Sequence, residues 1–185
     1  PSLLSAVRWL QDPKARASAH LVIGRDGEIV QMAAFDRKAW HAGRSSWGGV
    51  TGLNAHSIGI ELDNPGALTR SADGGWRTWF GQAVDAREVM TARHKADPPD
   101  AEPSGWPVYP EVQLEALMDA AAALHARYGF EAVLGHDDIA PGRKRDPGPA
   151  FPMEALRARL FGRDEDEGDA GDTETCRSCG RLLTG

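Results

Sequence analysis

The residues best suited to chemistry sit in one stretch, Gly135-His136-Asp137-Asp138-Ile139-Ala140-Pro141-Gly142-Arg143-Lys144-Arg145-Asp146-Pro147-Gly148. A neutral imidazole and a carboxylate are both good zinc ligands, which makes His136 and Asp146 candidate metal residues. Pro141-Gly142 and Pro147-Gly148 punctuate the connection and lower the entropy of holding it in one shape. Lys144 and Asp146 are two residues apart. On an extended backbone both side chains point to the same side. An ammonium then stands beside a metal-bound carboxylate, an arrangement a hydrolase can use. The plainer reading is a surface loop with an incidental histidine in a basic run; the surrounding residues favour the site.

Each of these groups needs an element to hold it. Ala132-Val133-Leu134 predicts a buried strand that ends at His136. Ser57 to Leu62 predicts another strand, with Ile58, Ile60 and Leu62 on one face and Ser57, Gly59 and Glu61 on the other. Glu61 thus faces away from the apolar row, and the small Gly59 beside it leaves room for a ligand. Ser2 to Gln11 reads as a helix with Leu3, Val7 and Leu10 on one face. Ala19–Gly24 and Glu28–Met32 read as strands joined by a tight Arg25-Asp26-Gly27 turn. Ala39 to Gly49 is a Gly-, Ser- and Trp-rich loop of the kind that carries function on a rigid sheet. Residues 64–110 read as a decorating insertion with a helical patch around Val84–Ala96. Glu111 to Tyr128 is the strongest helix, with Leu114, Leu117, Ala121, Leu124 and Tyr128 on one face and Gly129 placed to end it. A last helix runs from Pro152 to Leu160. This order predicts an α/β domain with a mixed central sheet flanked by helices.

Composition excludes several classes. The chain has 185 residues, 41% hydrophobic and 26% charged, the range of one soluble globular domain. Its net charge of −6 is unevenly spread: residues 1–162 hold 18 basic and 20 acidic side chains, and most of the excess lies beyond. A near-neutral body with no Lys/Arg stripe excludes nucleic acid as the expected partner. No apolar run is long enough to span a bilayer. The first residue is Pro, so a processed, trimmed or partial chain is expected. Residues 163–175 read as an acidic disordered linker, and 176–185 as a tail carrying Cys176 and Cys179. One CxxC is half of a four-ligand zinc ribbon; either a partner pair lies elsewhere or the thiols are incidental.

The motifs occur in a set order: Ser18-Ala19-His20, Asp26-Gly27, Trp40-His41-Ala42-Gly43, Asn54, Ser57-Ile58-Gly59-Ile60-Glu61, Gly135 to Lys144, and Asp146-Pro147-Gly148. Together they resemble the zinc-dependent N-acetylmuramoyl-L-alanine amidases of the type 2 family, relatives of the peptidoglycan recognition proteins, over roughly residues 1–162. The resemblance implies that fold, a Zn2+ cofactor, a monomer, and a peptidoglycan or muramyl-peptide substrate cut between the lactyl group of N-acetylmuramic acid and L-alanine. It implies that His136 and Asp146 are the second and third zinc ligands. Glu61 resembles the catalytic carboxylate and Lys144 the lysine facing the oxyanion. His41, Trp40 and Asn54 resemble residues lining the substrate groove. The family's first zinc ligand is a His on a strand ahead of the first helix. This chain opens on that helix, so the domain is expected to be N-terminally truncated. His20 reads as a structural or pocket residue rather than a substitute. The resemblance extends equally to cytosolic wall-recycling enzymes, envelope amidases and phage lysins.

By this reading Glu61 moves the proton of the attacking water to the leaving nitrogen, and Lys144 steadies the oxyanion. The alternative is a non-catalytic peptidoglycan-binding domain with an incomplete metal site. A third reading makes the acidic tail with its CxxC an interaction or metal-binding arm. Trp40, Trp47, Trp76, Trp79 and Trp106 read individually as packing residues. His56, His94 and His125 have no supporting pattern.

Overall fold

The computed structural model describes residues 2–162. The expected linker and CxxC tail lie outside the described residues. Helix α1, Leu3–Gln11, starts in a capping box in which the Ser2 and Ser5 hydroxyls each accept from the other's backbone N–H. Its buried Leu3 lies against Gly24, where an added Cβ would come within 3.2 Å of the leucine Cβ.

Strand β1 (Leu21–Ile23) is the middle of a three-stranded sheet, with β2 (Ile29–Gln31) antiparallel on one side and β5 (Ile60–Leu62) parallel on the other. A strand covered on both faces carries a continuous apolar run, and Leu21, Val22 and Ile23 are all buried. The β1–β2 turn stands where Asp-Gly predicts it, but spans Gly24 to Gly27. It is closed by Gly27 N–H to Gly24 O at 3.0 Å, with Gly27 at a φ of +82°.

The loop predicted at 39–49 ends in a small hairpin, β3 (Ser46–Trp47) and β4 (Val50–Thr51), turned by Gly48 and Gly49. The insertion differs from expectation: it is β-structure, and its helical patch is not an α-helix. β6 (Thr69–Arg70), β7 (Trp76–Arg77) and β8 (Ala83–Val84) form an antiparallel sheet; β9 (Val89–Ala92) pairs with β10 (Ser104–Pro107). Cross-strand packing overrides local helix propensity here. Trp106 opposes Met90, and the Trp76 ring lies under Gly105, where a Cβ would approach it to 2.7 Å. The Ala86–Glu88 segment keeps one 3-10 turn, capped by Asp85.

Helix α2 (Glu111–Tyr128) ends on Gly129 as predicted. Leu117 and Ala121 join Ile23, Phe151 and Leu156 in the core, and helix α4 (Met153–Phe161) packs on α2. Tyr128 is half exposed, whereas Gln113 is fully buried. The Gln113 carboxamide donates to Ile23 O (3.0 Å) and Asp63 O (3.3 Å), tying β1 to the end of β5. Ala132-Val133-Leu134 is not a strand of the sheet. It forms no ladder, and Val133 O accepts instead from Arg157 Nε at 3.1 Å. His136 therefore opens a short helix, α3 (His136–Ile139), rather than ending a strand.

Candidate active site

Short polar contacts shape the loop after α3. The Gly135 N–H donates to Asp138 Oδ2 at 2.9 Å, and the Asp137 N–H donates to Asp146 O at 2.9 Å, so the chain closes on itself. Arg143 reaches across to Ala42 O (3.0 Å) and Arg44 O (2.8 Å), and Tyr109 Oη donates to Pro147 O (3.0 Å). These bonds bring His136 Nδ1 into direct contact with Asp146 Oδ2. Lys144 Nζ lies 3.6 Å from Asp146 Oδ1, on the shared side that the two-residue step predicts. Glu61 lines the same open cleft as His136, Lys144 and Asp146.

The electrostatics follow from crowding four ionisable groups. Burial pushes the Glu61 carboxyl above its ordinary pKa; His136 and Lys144 pull it down, and Asp146 pushes it up. The contact with Asp146 raises the His136 pKa. Burial works against the Asp146 charge, but His136 and Lys144 outweigh it and hold that carboxyl down to about 2. A carboxyl with a raised pKa beside an ion pair suits a group that both takes and returns a proton.

The other predicted residues divide. His41 lies against β5: its ring covers Gly59, where a Cβ would overlap it, and its Nε2 is 3.4 Å from Ser57 Oγ. The space left by Gly59 is therefore filled by His41 rather than open to a ligand. Burial lowers the His41 pKa to about 4, with His20 and His136 adding to the effect and a Ser57 hydrogen bond opposing it. His20 is 1% exposed, with Nε2 2.8 Å from Arg37 O and Nδ1 accepting from Gly59 N–H at 2.9 Å. Both ring nitrogens are engaged, so His20 has the structural character expected of it. Asn54 borders the cleft, but its Oδ1 accepts from Ala42 N–H at 2.7 Å and so braces the His41 loop. Trp40 is exposed outside the cleft lining, with the Lys38 ammonium 4.3 Å above its ring. Trp47 and Trp79 border the cleft; Trp106 is buried against it. His125 packs against Phe130 and Phe161.

Sequence reasoning missed His94. It is 3% exposed, and its Nε2 is 3.1 Å from Asp137 Oδ2. The partners are distant in sequence and share no motif, so no local signal joins them.

His136 Nδ1 and Asp146 Oδ2 lie in direct contact, an imidazole nitrogen and a carboxylate oxygen of the kind zinc takes. Among the described residues no group of three or more His, Cys, Asp or Glu side chains comes together as a metal site. The fit is thus to two of the three protein ligands of a usual catalytic zinc.

A profile of the N-acetylmuramoyl-L-alanine amidase family (Amidase_2) matches residues 1–149. This chain belongs to that family. The amidase fold is also that of its structural neighbours. Escherichia coli AmiD, in complex with anhydro-N-acetylmuramic acid-L-Ala-D-γ-Glu-L-Lys, superposes with a TM-score of 0.64 at 30% identity, over 86% of this chain and 53% of that one. AmpDh3 of Pseudomonas aeruginosa, in complex with an anhydromuramic pentapeptide, does so at 0.61 and 29%, over 86% and 55%. In sequence, the 1,6-anhydro-N-acetylmuramyl-L-alanine amidase AmpD of Citrobacter freundii is 36% identical over 145 residues, 77% of this chain and 57% of that relative. This chain therefore spans little more than half the length of these relatives. Among its described residues no helix is long and apolar enough to cross a membrane.

Proposed function

We propose that this chain hydrolyses the amide between the lactyl group of a muramyl sugar and L-alanine, with zinc as its cofactor. The observation that carries the reading is the convergence of His136 and Asp146, with Lys144 beside them and Glu61 on the same cleft. His136 and Asp146 would hold the ion; among the described residues no third His, Cys, Asp or Glu side chain joins them. Zinc, when bound, supplies Lewis acidity and acidifies water. Glu61 takes a proton from the attacking water as the oxygen–carbon bond forms. It returns that proton to the alanine nitrogen as the carbon–nitrogen bond breaks. Lys144 holds a fixed positive charge where the carbonyl oxygen becomes anionic. His41 and Asn54 shape the cleft wall. Relatives that carry the anhydromuramyl amidase name, and neighbours solved with anhydromuramyl peptides, support a substrate of that class.

The two-donor site favours one second reading, a domain that binds such peptides without cleaving them. Incubation with anhydromuramyl-tripeptide and zinc separates the two. Release of free tripeptide that stops with chelator, and falls roughly 1000-fold in Glu61→Gln, is the expected result for a lost acid–base group. Saturable binding without release overturns the hydrolytic reading in favour of the second. Release that survives Glu61→Gln removes Glu61 from the role given to it.

A further inference from the structure

The β9–β10 connection reaches the candidate metal residues from behind. His94 Nδ1 accepts from the Ala96 N–H at 3.1 Å, which leaves Nε2 carrying the proton and donating to Asp137 Oδ2 at 3.1 Å. Lys95 Nζ lies 3.1 Å from Asp137 Oδ1 and also contacts the Asp138 carboxylate. Asp97 holds both terminal nitrogens of Arg145, at 2.6 and 2.9 Å, and its Oδ2 accepts from the His94 N–H at 3.0 Å. Asp137 is the residue after His136, and Arg145 is the residue before Asp146. One short loop thus grips the immediate neighbour of each. The two gripped segments meet at the bond from Asp137 N–H to Asp146 O.

The loop has a rigid seat. The His94 ring stacks on Trp106, centroids 5.8 Å apart and 28° between planes, and the Arg145 guanidinium lies 5.6 Å from the same indole. Trp106 is 1% exposed, and its Nε1 donates to Ala92 O at 3.1 Å. On its far side it closes on Gly148, where a Cβ would run into the ring.

We propose that His94, Lys95 and Asp97 are positioning residues that set the separation of His136 and Asp146, and so the site's capacity for a divalent cation. The claim rests on the metal reading above, but its first consequence is mechanical and needs no metal. A buried carboxylate such as Asp137 keeps its place only while paired. Without that pairing the His136 segment is free to part from the Asp146 segment. Groups that orient metal ligands from behind typically matter 10–100-fold in affinity.

The test is amide hydrogen exchange on the metal-free chain, read at Asp137 N–H and along α2, for His94→Leu, His94→Gln and Asp97→Ala. The expected result is at least tenfold faster exchange at Asp137 in His94→Leu and Asp97→Ala, with Leu117–Leu124 unchanged. His94→Gln, whose amide nitrogen can replace Nε2, keeps Asp137 slow. An unchanged Asp137, or equal acceleration everywhere, overturns the proposal. Zinc titration of wild type, His136→Ala and Asp97→Ala then separates it from the metal reading. Wild-type binding lost in His136→Ala and at least tenfold weaker in Asp97→Ala supports both. No wild-type binding, with Asp137 released in Asp97→Ala, sinks the metal reading and leaves the mechanical claim standing. Measurable zinc binding of equal affinity in wild type and Asp97→Ala overturns the proposal.

Discussion

His41 makes the fold sensitive to mild acid, and the size of the effect can be worked from its surroundings. Its ring is wedged on Gly59, edge-on to His20 at 5.7 Å between centroids. Its folded pKa is about 4, against 6.5 for a free imidazole. The folded value is the lower one, so the native state holds His41 neutral while the unfolded chain takes up the proton. The contribution is therefore fully present above pH 6.5 and drains away as the pH falls to 4. At 1.36 kcal/mol per unit this amounts to at most about 3 kcal/mol. The neighbouring imidazoles that enter are His20 and His136, both of which disfavour a proton on His41. Urea unfolding of wild type and His41→Gln at pH 7 and pH 4 measures it, with equal m-values as the condition for comparison. Carboxylates titrate alike in both proteins and cancel. The wild type is expected to lose up to about 3 kcal/mol more than the variant over that interval. Parallel losses, or an NMR titration midpoint for His41 near that of a free imidazole, would refute the reasoning.

Three further outcomes follow from the packing. Gly59→Ala drives a methyl into the His41 ring, so a loss of about 1–3 kcal/mol in chemical denaturation is expected, with the His41 midpoint rising as the ring is expelled. An unchanged midpoint would mean that the ring does not rest there. Gln113→Leu strips the donors from Ile23 O and Asp63 O inside the core, and a loss of about 1–3 kcal/mol is expected; neutral stability would show those carbonyls to be satisfied otherwise. Leu117→Ala opens the contact between α2, Ile23 and Phe151. It should cost about 2–5 kcal/mol, read as a lowered thermal midpoint, and no shift would remove Leu117 from the core.

Wherever the governing interaction is local, the residues alone were enough. The α2 stripe and its Gly129 stop, the Asp26-Gly27 turn, and the step that sets Lys144 beside Asp146 all follow from spacing within a few residues. The motif order also carried the family resemblance, which the profile match over residues 1–149 bears out. Tertiary structure decided the rest. Residues 64–110 form short strands because Trp76 and Trp106 pack across strands, against a local pattern that favoured a helix around Val84–Ala96. Ala132–Leu134 reads as a strand, but no ladder forms, because pairing needs a partner in register and not only an apolar run. The His41 ring over Gly59 and the grip of residues 94–97 on Asp137 and Arg145 join positions far apart in sequence. Periodicity reports which face of an element is apolar; which polar group meets which across the domain is fixed only when the elements close on one another.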